Sequence, residues 1–507
     1  MKMSAGLCIG TSIRRIASFI DTASRNSAFA ILVACTAAQA AAQPLGYDDA
    51  RHLLGRTSFA ATPTEVDTYS RLTREQAVER LLAGNRARAA TPPPRWVSEP
   101  FDSLRRLRNA SQEERQVLQR QRREEGIELR AWWLEEMRIT ASPLTEKMTL
   151  FWHNHFVSSD QKVRSPQLMY RQNQLLRHHA FGNFSTLLHE IARDPAMVIY
   201  LDNASNRKAQ PNENFAREVM ELFTLGEGHY TEQDVKEAAR AFTGWSVDID
   251  TGEFLFRAPQ HDGGPKTVLG RSGNLTGDDV LRILLAHPRT AEHVVEKLWR
   301  EFVSPSPDPE EVKRIARRFR DSRYDIQVVL RALLTSNAFY AAHNRATLVK
   351  SPVDLVVGTL RQFRFKTGEM LPFALTVAQL GQNLFAPPNV KGWPGGEAWI
   401  NSTTLLARKQ LLERLFREND ARPMAALAAG ERMKGMAAVS DGRERFVRAM
   451  AEVRFDAPQW LGQFGQADTG AVQRLILASA PGSPLPAGVQ GIQALQMLTQ
   501  DPVYQLK

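Results

Sequence analysis

Cysteine is almost absent: the 507 residues include two, Cys8 and Cys35, both close to the N-terminus. The rest of the chain has no disulfide, thiolate metal site or cysteine nucleophile, and takes its stability from the size of its core. Long apolar runs are missing too. The stretch Ala28-Phe-Ala-Ile-Leu-Val-Ala34 is too short for a bilayer, which needs about 20 residues. Charge of one sign is not concentrated. The formal net charge is +10, and it falls to +7 if residues 1–42 are removed. The densest basic stretch, Arg105–Arg123, is interleaved with Glu113 and Glu114 and followed by Glu124 and Glu125. It reads as a solvated helix face and not as a nucleic-acid stripe, so no nucleic-acid partner is expected. Also missing are a Gly-rich phosphate cradle, His-Glu-x-x-His, Gly-x-Ser-x-Gly and a dinucleotide fingerprint.

The N-terminus carries what the body lacks. Arg14, Arg15 and Arg25 precede the apolar run, and Ala38-Gln-Ala40 and Ala40-Ala-Ala42 offer small-x-small cleavage sites. Residues 1–42 therefore read as a secretory signal, which places the mature chain in the periplasm or at the cell surface with no transmembrane helix. Two variants stay open. Leu32-Val33-Ala34-Cys35 resembles a lipobox, with Cys35 as a lipid anchor, and Arg14-Arg15 resembles a degenerate twin-arginine signal.

Beyond the signal, helical periodicity dominates. Ser142 with Pro143 starts a helix through Leu144, Met148, Phe151 and His155, and Thr231 with Asp234 forms a capping box. Further helices are expected at 277–286, 288–302, 309–320, 325–336, 351–363, 373–383 and 402–417. Strand signal is confined to about 245–270, where Gly252–Arg257 and Lys266–Leu269 flank a Gly-rich turn and suggest one hairpin. The fold class is mainly α: a large multi-helix domain over 45–417 with one small β-hairpin, and a smaller C-terminal helical subdomain over 418–507.

Polar residues interrupt this pattern at a few places. In Pro211–Tyr230, Asn212 or Asn214 can cap a helix and Glu213 complements its dipole. Asn214, Glu218 and Glu221 share a face, with Arg217 in reach of Glu213 and Glu221. Two carboxylates so placed can act as acid and base, hold a divalent metal, or form an arginine-linked structural network. His153 and His155 lie about 200° apart on a helix and cannot grip one ion. His155 sits on the apolar stripe as a core histidine, while His153 and Asn154 are freer to face a cleft. His229 follows the Gly226 helix stop. His261-Asp262 lies at the expected hairpin turn, as turn chemistry or as a site. Asp202, Asn203 and Asn206 offer oxygen ligands but match no calcium-loop spacing. Trp393 and Trp399, with Asn389, Lys391 and Glu397, form either a stacking surface for sugar rings or a packed wedge.

Leu144–Phe156, Asn212–Trp245, His261-Asp262 and Pro387–Asn401 together resemble the bacterial family catalogued as domain of unknown function 1800. The likeness spans about 45–417, with a looser match beyond. It implies exported, largely helical proteins, often encoded beside a sulfatase-like family that would be a partner. It supplies no reaction and no catalytic residues, and the poor twin-arginine motif departs from the family pattern.

Two functions follow as expectations. The first is a hydrolase-like enzyme acting on an extracytoplasmic polymer or conjugate. In it, Glu218 and Glu221 serve as base or metal ligands, His153 and His229 as acid or ligand, and Asn389, Lys391, Trp393 and Trp399 bind substrate. The second is a non-catalytic envelope scaffold or polysaccharide-binding protein working with the sulfatase-like partner.

Overall fold

Capping chemistry sets where the helices begin. Ser111 with Glu114, Thr231 with Asp234, Thr276 with Asp279 and Ser351 with Asp354 form reciprocal capping boxes. Each satisfies two backbone donors that a helix start leaves open. Pro143, Pro166, Pro288, Pro309 and Pro352 occupy first-turn positions where no backbone N–H is needed. The computed structural model describes residues 43–417, 448–465 and 468–507. Residues 1–42, with Arg14, Arg15, the cleavage sites and Cys35, lie outside the described residues, as does 418–447.

The architecture is mainly α. Gly277–Ala286, Pro288–Phe302, Pro309–Asp321, Ile326–Leu334, Pro352–Gln362, Leu371–Gln379 and Ser402–Leu415 are helical, close to the expected bounds. The strand region departs from expectation. Trp245–Val247 pairs antiparallel with Phe254–Phe256, and Lys266–Val268 pairs antiparallel with Arg271–Gly273. Two small hairpins replace the single one, because each segment finds its partner across a shorter turn. His261-Asp262 connects them: His261 Nδ1 lies 2.9 Å from Thr243 O, and Asp262 pairs with Arg240 at 2.7 Å.

Among the described residues, no helix is long and apolar enough to cross a membrane. One hydrophobic cluster runs from Leu45 to Tyr504, so the described tail shares the core of the main domain. Trp460 donates to Gln362 O at 2.8 Å, Lys350 N donates to Gln505 O at 2.7 Å, and Lys507 Nζ reaches Asp354 at 2.6 Å. The core also holds charge. Glu146 and Arg177, both essentially inaccessible, pair at 2.6 Å, and Trp133 Nε1 donates to the same carboxylate at 2.7 Å. Such a pair is tolerated because each charge is matched and hydrogen-bonded.

Candidate functional site

The Asn214–Glu218 helix does not continue as an α-helix: Val219–Leu225 is a π-helical turn. Its wider i→i+5 pattern shows in the Gly226 N–H, which donates to Glu221 O at 3.0 Å. π-Turns within helices are uncommon and recur at functional sites. Four side chains support this one. His155 Nε2 and His293 Nε2 lie 3.1 Å from Phe223 O and Leu222 O, and Lys297 Nζ donates to Leu222 O at 3.1 Å. Arg289 Nε donates to Leu225 O, also at 3.1 Å. Arg289, His293 and Lys297 are spaced four apart along Pro288–Phe302, so one helix face reaches the carbonyls that the π-turn leaves open.

The widened turn changes who meets whom. Arg217 pairs with Glu213 at 3.1 Å and Glu232 at 2.8 Å, and not with Glu221 as helical spacing suggests. Glu221 instead accepts a hydrogen bond from the Tyr230 hydroxyl. The Tyr230 phenol is pushed up, first by burial and then by that carboxylate, so it stays a donor. Glu218 is 8% exposed, and no hydrogen bond or ion pair forms to it among the described residues. Its carboxyl is raised above the usual range by burial and next by Glu221, against the opposing pull of Arg217 and Lys391. Tyr200, also buried, senses its charge. Side-chain burial and a neighbouring like charge both favour the protonated form of Glu218, a combination that recurs at proton-transferring sites.

The loop over 387–401 closes one side. Lys391 Nζ pairs with Glu227 at 2.8 Å in an exposed contact, and Asn389 Oδ1 accepts from Lys391 N at 2.9 Å. The loop is anchored through Trp393 N, which donates to Asn154 Oδ1 at 2.8 Å. Gly392 allows this approach. Its φ is +81°, and a Cβ there would lie 2.3 Å from Asn154 Oδ1 and 2.9 Å from Asn154 O. Gly392→Ala is expected to cost at least about 1–3 kcal/mol in strain. Urea unfolding checks this, and loss of the Lys391–Glu227 contact should follow.

Other expected site residues fall elsewhere. His153 does not face a cleft: it is 1% exposed, packs against Trp133, Phe385 and Trp393, and accepts from Phe385 N at 3.2 Å. Burial depresses it to about 3, so it stays neutral and cannot serve as the acid. Trp393 and Trp399 are 4% and 7% exposed and form a packed wedge with no open stacking surface. His229 is exposed in its turn near His287, with no contact to either glutamate. His155 is the core histidine the sequence suggests, held between Lys297 and Phe223 O. Asn203 and Asn206 are buried, and their side-chain oxygens accept from Asn206 Nδ2 and Asn212 N, while Asp202 pairs with Lys162, so these oxygens are committed to contacts within the fold. Among the described residues, no group of three or more His, Cys, Asp or Glu side chains is placed to hold a metal ion. Two concavities, about 460 and 510 Å³, lie away from the glutamates, around Arg361 and around Arg318. Sequence periodicity missed the π-turn and the supporting roles of Arg289, His293 and Lys297; only the stop at Gly226 was visible.

Two glutamates at the start of an externally supported π-turn, in a mainly helical chain, define the candidate site. The chain belongs to the family described as Protein of unknown function (DUF1800), whose model matches residues 52–506. That match covers the 45–417 span of the motifs from residue 52 onward and the looser match expected beyond it. Neither a comparison with curated proteins nor one with solved structures gives a match.

Proposed function

We propose that the chain is an exported, hydrolase-like enzyme acting on an extracytoplasmic polymer or conjugate, with Glu218 as the proton-transferring group. The observation that carries this reading is Glu218 itself: nearly buried, unpartnered, raised in proton affinity and adjacent to Glu221. A structural network would have spent that carboxyl on a partner, as the same helix spends Glu213 on Arg217. In this reading the protonated Glu218 donates to the leaving group. Glu221, with one oxygen held by Tyr230, orients water or substrate. Lys391 and Asn389, exposed on the facing loop, contact substrate. The signal-like N-terminus supports export to the periplasm or cell surface, with a lipid anchor at Cys35 and a sulfatase-like partner as further parts of the proposal.

The test incubates the purified chain with peptidoglycan and with acidic and neutral polysaccharides, and reads new reducing ends and free amines. Turnover by the wild type that disappears in Glu218→Gln, with the melting temperature kept, supports the reading. Absence of turnover on every polymer, together with a melting temperature that falls in both Glu218→Gln and Glu221→Gln, rejects it and leaves the scaffold role.

A further inference from the structure

Away from the glutamate pair, the interior around residues 344–354 gathers more positive charge than it neutralises. Arg56 and Arg408 are both 0% exposed, and Lys147 is 2% exposed. Lys507 Nζ reaches the same centre, and Lys350 Nζ lies 3.9 Å from the centroid of the buried Tyr504 ring. Two carboxylates face this group. Asp354, 2% exposed, is shared by Lys147 at 2.7 Å and Lys507 at 2.6 Å, and the partly exposed Glu301 reaches the same two lysines at 3.5 and 3.7 Å. Among the described residues, no carboxylate pairs with Arg56 or Arg408.

The guanidinium groups are also short of acceptors. Arg408 Nη1 donates to Lys350 O at 3.0 Å and Gln505 Oε1 at 3.1 Å, while its Nε and Nη2 have no partner. Arg56 Nη2 donates to Asn344 O at 2.7 Å, while its Nε and Nη1 have none. Arginine does not shed its proton in proteins, so these donors cannot be neutralised by titration. Each buried orphan donor costs about 1–3 kcal/mol, and more on a charged group. The Nε–Nη2 edge of Arg408 is the side of a guanidinium that takes two oxygens of one oxyanion through parallel N–H bonds. The segment that covers it is the C-terminal strap, fixed by Lys350 N to Gln505 O and by Lys507 N to Leu348 O at 2.8 Å.

We propose that this interior is a binding site for one small oxyanion, phosphate or sulfate, gripped by the free edge of Arg408 and balanced by the neighbouring Lys350. The anion supplies the acceptors that Arg408 lacks and negative charge beside it, and it locks the C-terminal strap against Ser402–Leu415. This site does not depend on the chemistry proposed for Glu218.

Two measurements test the site. Ion chromatography of acid-denatured, extensively dialysed wild-type protein is expected to release about one equivalent of phosphate or sulfate, and the identity of the peak distinguishes the two. If the site empties on dialysis, sodium phosphate or sulfate should raise the melting temperature saturably by several degrees over sodium chloride at matched ionic strength, because a ligand that binds only the folded state stabilises it. Arg408→Met should abolish that rise, and in chloride it should be no less stable than the wild type, because it removes an uncompensated buried charge. Should Arg408→Met fail to fold, Lys350→Met takes its place with the same loss of rise expected. The proposal is overturned if the denatured wild type releases no oxyanion and neither salt stabilises it beyond chloride. It is overturned equally if Arg408→Met melts lower by the same amount in chloride and in phosphate.

Discussion

Asp354→Asn is expected to destabilise the fold by about 3–5 kcal/mol, the usual consequence of removing one partner of a buried ion pair. Asp354 does three things at once. It caps the Pro352–Gln362 helix through Ser351, and its two oxygens hold Lys147 and Lys507. Asparagine can keep much of the capping geometry but leaves two lysines in a cluster already rich in positive charge. Those lysines and their hydrogen bonds hold the carboxyl well below its ordinary range, even though burial opposes them. With the folded value below the unfolded one, this stabilisation is present above the unfolded carboxylate range and is lost as pH falls. Wild type and Asp354→Asn should therefore differ most near neutral pH and converge in strong acid. Urea unfolding at neutral and acidic pH checks both statements. Lys507→Met should cost less, because Asp354 keeps Lys147 at 2.7 Å.

Helix limits were legible because their causes are local. Thr231 with Asp234 and the proline-led starts act within one turn, and Gly226 ends the helical part of Pro211–Tyr230 with φ +81°. The hairpins were only half legible: Gly252–Arg257 and Lys266–Leu269 read as strands, but as partners of each other, whereas their actual partners, Trp245–Val247 and Arg271–Gly273, carry no strand pattern strong enough to stand out in the sequence. The site failed at two points for two physical reasons. Arg217 and Glu221 share a face only if the helix stays α, and the π-turn is held by Arg289, His293 and Lys297 from more than 60 residues away. His153 looked free because its own helix places it off the apolar stripe, whereas Trp133 and Phe385 arrive from other elements to bury it. The Glu218–Glu221 proximity, by contrast, came through: Glu221 still acts on the Glu218 carboxyl although the turn widens between them.

Glu218→Gln separates an active carboxyl from a structural one by moving activity and stability in opposite directions. If Glu218 transfers the proton, the substitution should lower turnover by about 10²–10⁴-fold, the usual contribution of a positioned acid or base. The amide keeps the shape of the side chain but cannot give up a proton at any working pH. Stability should respond with the other sign. Burial and Glu221 raise the carboxyl, so the folded chain holds its proton more tightly than the unfolded chain. Stability from this group is therefore complete below the unfolded carboxylate range and falls as pH rises through the raised folded value. Glutamine removes that loss, so the variant should melt at or above the wild type at pH 7–8 and match it in acid. Thermal melts across pH 4–8 read this directly. A variant that melts well below the wild type at neutral pH would show that the ionised carboxyl stabilises the turn, and the assignment of Glu218 as the proton-transferring group would fall with it. Tyr230→Phe supplies the companion measurement. Freed of its hydroxyl partner, Glu221 adds uncompensated charge beside Glu218, so the Glu218 carboxyl should rise further, and the loss of stability that sets in at the unfolded carboxylate range should extend to higher pH and become deeper.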